Sequence, residues 1–260
     1  MSTQTADMLF TRRAREVLTV TLNRPAVHNA LHPEQLGQLL EIVRAASADP
    51  TLRLLAVTGA GTKAFSAGFD IRALQIAKSE TPPPSQILFA VTAALIACPV
   101  PTLALVRGYC AGAGLDLAMS CDHRIATADA TFWLPAANLG TVYEPRSLER
   151  FQAILGPSVA KRLFMCGHRL EASEALRVGL IDQLVEAASV DDRVDNWVAA
   201  SPALARSHKH ILDEFAKPAD RSEQFWAPLD RLRLESTRSA ERARALTDFV
   251  TTSDKEHGDA

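Results

Sequence analysis

The sequence predicts an α/β protein with parallel strands. Three observations carry that prediction. Short apolar, β-branched runs alternate with segments whose apolar residues recur at helical spacing. Two of these runs, Arg53 to Thr58 and Thr102 to Val106, lead into turns rich in glycine and alanine that open into helices. From Val190 onward the pattern changes to long, highly charged helical stretches punctuated by Pro218 and Pro228.

In chain order, Val17 to Leu22 alternates in polarity and reads as a strand that Asn23-Arg24-Pro25 ends. Pro33 to Ala46 places Leu36, Leu39, Leu40 and Val43 on one helical face, with the proline early in the first turn. Asp49-Pro50 breaks that helix, and Arg53 to Thr58 is the next strand. Residues 63–71 form a small-residue passage into a helix, and the run TPPPS at 81–85 is a loop before an apolar helix from Gln86 to Ala97. His123 to Ala128 and Thr131 to Leu134 read as strands, and Pro135 to Pro145 as a long turn. Pro157 to Cys166 and Ala172 to Val178 look helical, Leu180 to Val185 strand-like. Leu232, Leu234, Ala243, Leu246 and Phe249 then leave an apolar stripe that needs a partner surface, and 251–260 reads as a disordered tail.

The stretch RGYCAGAGLDLAM at 107–119 organises the rest. Its glycines and alanines let a ligand approach the backbone, and the first amides of the following helix lack partners within it. Such a turn offers N–H groups to an oxygen carrying negative charge. It is neither a GxxxxGK[ST] loop nor a GxGxxG dinucleotide fingerprint.

Composition narrows the function classes. At 260 residues, 47% hydrophobic and 22% charged, the chain has the makeup of a globular protein with a large core. A net charge of −2 gives no electrostatic case for nucleic acid or an acidic membrane. Cys98, Cys110, Cys121 and Cys166 lack metal-site spacing and read as reduced core thiols, so no metal is expected. No signal-like start or 18-residue apolar run occurs, which makes the cytoplasm the expected compartment.

Six pieces, in order, resemble the crotonase superfamily, the enoyl-CoA hydratase/isomerase family. They are Asn23-Arg24-Pro25 with Asn29-Ala30-Leu31, Val57-Thr58-Gly59, the passage from Ala64 to Asp70, the passage from Gly108 to Gly114, Ser120-Cys121-Asp122, and Asn138-Leu139-Gly140. The resemblance implies a crotonase-like spiral of ββα repeats in residues 1–189, with 190–260 a helical appendage for trimerisation, as a homotrimer or a dimer of trimers. It implies an acyl-CoA substrate, with coenzyme A entering as part of the thioester and no prosthetic group. The thioester oxygen would be held by the backbone N–H groups of Phe69 and Ala113. His28, Ala30, Ala64, Ser66, Ala67, Gly68, Asp70 and Ile71 would line the CoA path. Tyr109, Gly112, Ala136, Leu139 and Gly140 would surround the thioester and acyl chain.

The family's hydratases generally activate water with two glutamates, whose positions match Asp116 and Ala136 here. The first acid is therefore shortened and the second is missing. Glu144 instead matches the single base of the family's Δ3,Δ2-enoyl-CoA isomerases. The expectation is double-bond isomerisation with Glu144 as base. The alternatives are hydration by Asp116 and Glu144 together, a catalytically silent CoA-binding homologue, or hydrolysis or carbon–carbon cleavage in the same oxyanion pocket.

Overall fold

A computed structural model describes residues 8–76, 83–135, 138–186 and 205–216, with scattered positions between 223 and 251. Of the expected apolar stripe, Leu232 and Phe249 lie outside the described residues, as does the tail after Thr251.

The strands form two sheets. The larger contains β1 (Leu9–Ala14), β2 (Val17–Leu22), β3 (Leu54–Gly59), β5 (Thr102–Val106), β7 (His123–Thr127) and β10 (Gln183–Val185), in the order β1-β2-β3-β5-β7-β10. Only β1 and β2 pair antiparallel, and every later neighbour in that sheet is parallel. The smaller sheet has the order β4-β6-β8-β9, from Ala64–Ser66, Tyr109–Ala111, Thr131–Trp133 and Leu170–Glu171.

Consecutive strands thus alternate between sheets: β3 then β4, β5 then β6, β7 then β8. A helix follows each such pair, and this is the expected ββα repeat. The pattern has a simple cause. Strand β5 is buried at all five positions, and β3 at all but Thr58, as parallel strands covered on both faces require. Val17, Leu54, Ala56, Leu103, Leu105, Ile125 and Val185 form one core cluster across five of the six strands.

Helix α1 (Pro33–Ala48) buries Leu36, Leu39 and Val43 completely. Its start is closed by His32, whose side chain accepts from the Glu34 amide at 3.3 Å. Helix α3 (Pro84–Ala97) packs against α1 and buries Leu88, Val91 and Leu95. It begins two residues earlier than the sequence suggests, because proline is well suited to a helix's first turn. Short helices α2 (Ile71–Ile76), α4 (Ala113–Ala118) and α6 (Ala172–Arg177) follow β4, β6 and β9.

Helix α7 (Ala205–Ala216) is tied to the core by two cations. Arg206 donates to the carbonyls of Asp49 (2.7 Å) and Leu52. Lys209, 8% exposed, donates to Asp122 Oδ2 at 2.6 Å. That carboxylate oxygen also accepts from the Thr102 amide and hydroxyl at 2.7 and 2.9 Å, joining the start of β5 to the turn before β7.

The chain divides into two compact units. Residues 1–132 and 170–217 make up one, and 133–169 and 218–260 the other. The second contains α5 (Pro145–Cys166), which breaks at Gly156, where φ is 73° and Pro157 follows. Phe164 stacks edge-on with both Tyr143 and Phe151 there, at 5.3 and 5.1 Å between centroids. Cys98, Cys110 and Cys121 are buried, but Cys166, at the last position of α5, is exposed and departs from the expected core role. Among the described residues no helix is long and apolar enough to cross a membrane. Nor do they include a group of three His, Cys, Asp or Glu able to hold a metal ion.

Candidate active site

The turn from Asn23 to Leu31 is a framework on which the first small-residue passage is hung. His28 and Asn29 both sit at positive φ, 52° and 54°, a conformation that costs about 1 kcal/mol or more per non-glycine residue. The Asn29 side chain holds it in place. Its Oδ1 accepts from the Arg24 amide at 3.0 Å, and its Nδ2 donates to the carbonyls of Ala60 (3.0 Å) and Ala64 (2.7 Å). Asn29 is fully buried, so each of these bonds replaces one that water would otherwise make.

Beyond that turn the backbone of 67–70 runs beside 28–31. Ala67 N–H donates to His28 O at 2.9 Å, Leu31 N–H to Gly68 O at 2.7 Å, and Asp70 N–H to Leu31 O at 3.0 Å. Leu31 and Phe69 form a parallel bridge. In such a bridge Leu31 engages the residues on either side of Phe69. Phe69's own N–H and C=O therefore face away from Leu31. Among the described residues no acceptor takes the Phe69 amide.

The second turn lies directly against the first. Gly68 has φ of 98°, and a methyl group there would stand 3.1 Å from Ala111 O and 3.3 Å from Ala113 N. Only glycine allows so close a crossing. Ala113 is the first residue of α4, and the Gly112 carbonyl accepts from the Asp116 amide at 3.1 Å. The N–H at the other end of the Gly112–Ala113 peptide consequently points out of the helix start, with no acceptor among the described residues. Two peptide amides on adjoining turns are thus left with donor capacity, which suits an oxygen bearing partial negative charge.

Around these amides the expected site residues take different places. Ser66 is fully buried, and its Oγ accepts from the Gly68 amide at 3.2 Å. Ala30, Ala64, Gly68 and Gly112 are buried, Ile71 is half-buried, and Ala67 and His28 are exposed. Tyr109 is exposed and meets His28 edge-on, with ring centroids 6.2 Å apart. His28 and Ala64 also line an open cleft of about 290 Å³, together with Pro25, Asn29 and residues 60–63.

Asp70 is half-buried, its Oδ2 2.8 Å from Arg24 Nη2 and its Oδ1 accepting from the Ala73 amide at 3.3 Å. Burial pushes its carboxyl up, but the Arg24 guanidinium and the Ala73 amide more than offset that and hold it below the ordinary value. Asp116 is 4% exposed in the first turn of α4. Arg24 is the residue that sequence reading overlooked. Its charge stood inside a turn motif, and its partner Asp70 lies 46 positions away.

Glu144, Leu139 and Gly140 belong to the second unit, and Ala136 lies outside the described residues. Glu144 is the N-cap of α5. Its Oε1 accepts from Arg146 Nη1 at 3.1 Å and from the Arg146 amide at 3.4 Å. The other oxygen, Oε2, is buried and has no hydrogen-bond donor among the described residues. His123 lies 3.7 Å from Asp182, where β7 meets β10.

The profile of the enoyl-CoA hydratase/isomerase family matches residues 12–259. A crotonyl-CoA hydratase of Syntrophomonas wolfei is 32% identical over 69% of this chain and 70% of its own length. A carnitinyl-CoA dehydratase of Escherichia coli K12 is 33% identical over 72% of this chain and 71% of its own. Among solved structures, an enoyl-CoA hydratase/isomerase from Pseudoalteromonas atlantica superposes with a TM-score of 0.82 at 26% identity, covering 95% of this chain and 98% of that one.

Proposed function

The chain belongs to the enoyl-CoA hydratase/isomerase family, and on that premise we propose that it shifts the double bond of an enoyl-CoA, with Glu144 as the base. The thioester oxygen accepts from the Phe69 and Ala113 amides. The Glu144 carboxylate removes a proton from C2 of a 3-enoyl-CoA, and the electron pair of that C–H bond delocalises into a dienolate whose oxygen the two amides stabilise. The proton returns at C4, leaving the 2-enoyl thioester. One carboxylate suffices because the group that takes the proton also gives it back.

The observation that carries this reading is Oε2 of Glu144: a buried carboxylate oxygen with no donor among the described residues. A buried acceptor left unmatched costs about 1–3 kcal/mol, a cost that a role in proton transfer accounts for. Asp70, by contrast, has each of its oxygens engaged. On the same premise the substrate is an acyl-CoA, His28, Tyr109 and Asp70 lie along its path, and residues 190–260 contribute to a trimer.

The hydratase and dehydratase names of the two relatives favour a second reading, in which Asp116 and Glu144 together add water across a 2-enoyl-CoA. Steady-state assays with both substrate classes separate the two. Glu144→Gln should lower kcat for 3-enoyl-CoA isomerisation by about 10³-fold, with KM changed only a few-fold. Unchanged turnover would sink the base assignment. Asp116→Asn should spare isomerisation and damage hydration; a wild-type protein that hydrates 2-enoyl-CoA faster than it isomerises 3-enoyl-CoA makes hydration the main activity.

A further inference from the structure

We infer that Arg24 is a positioning residue for the Phe69 amide, aiming and polarising that donor through two peptide units in series. The inference rests on the proposed role of that amide in holding a thioester oxygen.

The chain of contacts is continuous. Arg24 Nη1 donates to the carbonyl of Ala30 at 2.7 Å. The same peptide unit ends in the Leu31 N–H, which donates to the Gly68 carbonyl at 2.7 Å. That second peptide unit ends in the Phe69 N–H. In a trans peptide the C=O and N–H point in opposite directions, so gripping Gly68 O fixes where the Phe69 N–H points. Both bonds are short, and each withdraws electron density from the oxygen of a peptide whose N–H is the next donor. Hydrogen bonds in series strengthen one another in this way, and the head of this series is a guanidinium.

The second arm of the fork closes the other flank. Arg24 Nη2 is 2.8 Å from Asp70 Oδ2, and Asp70 N–H donates to Leu31 O at 3.0 Å. Arg24 therefore braces residues on both sides of Phe69 while touching neither Phe69 nor its bound oxygen. Because Asp70 offsets part of the positive charge, direction contributes alongside polarisation. A lysine cannot reproduce this geometry, because it lacks the planar pair of donors that spans Ala30 O and Asp70.

The test uses the full-length protein with crotonyl-CoA carrying a ¹³C label at the thioester carbonyl. Difference infrared spectroscopy reads the carbonyl frequency of the bound molecule, alongside kcat, KM and a thermal melt. Wild type should lower that frequency. A folded Arg24→Met protein should lose at least half of the downshift and about 10- to 100-fold in kcat, with KM within about threefold. Arg24→Lys should fall between the two.

A purely structural arginine would reduce the amount of bound signal and leave its frequency in place. A folded Arg24→Met protein with the wild-type frequency and kcat therefore overturns the inference. Should Arg24→Met fail to fold, Asp70→Asn is read in its place: a partial loss of the downshift supports the inference, and an unmoved frequency overturns it. A wild-type protein that leaves the bound carbonyl unshifted overturns the oxyanion reading itself, and this inference with it. Its own spectrum separates that outcome from a failure of the Arg24 variants.

Discussion

Gly114 and Ser66 are in contact with no space between them: a methyl group on Gly114 would stand 2.6 Å from Ser66 Cβ and 2.8 Å from Ser66 Oγ. The pair sets how closely α4 approaches β4, and so how near the Ala113 amide lies to the turn bearing Phe69. Both partners are small by necessity. Ser66 cannot give way, because it is buried and its hydroxyl is occupied by the Gly68 amide.

Gly114→Ala should accordingly cost about 1–3 kcal/mol of stability through overpacking. It should also lower kcat by about tenfold or more, since moving one donor relative to the other degrades the paired geometry. Denaturant titration and steady-state kinetics check both. A variant with wild-type stability and wild-type kcat would show that the contact is slack.

The four cysteines should separate by reactivity. Burial pushes the Cys121 thiol up to about 12, with the neighbouring Asp122 carboxylate adding to the effect, and burial raises the Cys110 thiol well above its ordinary value. Cys98 is 1% exposed, and Cys166 is exposed. An aromatic disulfide reagent at pH 8 should thus label one thiol per native chain, at Cys166. All four thiols of the sequence should react in guanidinium. Rapid labelling of a second native thiol, located by peptide mapping, would contradict the packing around α4.

Acid should release the brace at Asp70. Its carboxyl in the folded protein titrates below the ordinary value, with burial opposing the shift and Arg24 and Ala73 producing it. An aspartate in the unfolded chain titrates near about 3.9. The stabilising contribution is therefore complete above about pH 4 and is lost as pH falls through the lower folded-state value. Stability measured by urea titration at a series of pH values should fall less steeply below about pH 4 in Asp70→Asn than in wild type. Parallel acid limbs would mean that Arg24 gives this carboxylate no advantage.

What could be read from the string follows from how each element is buried. Strands β2 and β5 are apolar enough over five or six residues to announce themselves, and α1 shows its buried face at the spacing of Leu36, Leu39 and Val43. Strand β1 does not. Its residues Phe10 to Arg13 are exposed at the edge of the sheet, so no apolar alternation marks them. Strands β4 and β6 span three residues each, inside small-residue turns, and only their pairing within the smaller sheet makes them strands. The two turns carrying Phe69 and Ala113 were legible because glycine and alanine cluster there. Their contact was not, since a Gly68 methyl's distance to Ala113 depends on the whole ββα winding. Arg24 was hidden for the same reason: nothing local connects it to Asp70.

The docking of α7 has a consequence for the order in which the protein comes into being. The cation that neutralises Asp122 is translated 87 residues after it, and the guanidinium that clasps Asp49 and Leu52 comes later than either by more than 150. Until residue 209 has been translated, Asp122 can keep its bonds from Thr102 but lacks the Lys209 ammonium that balances its charge. Assembly therefore finishes from the far end of the message, and a chain cut short before Ala205 lacks both latches.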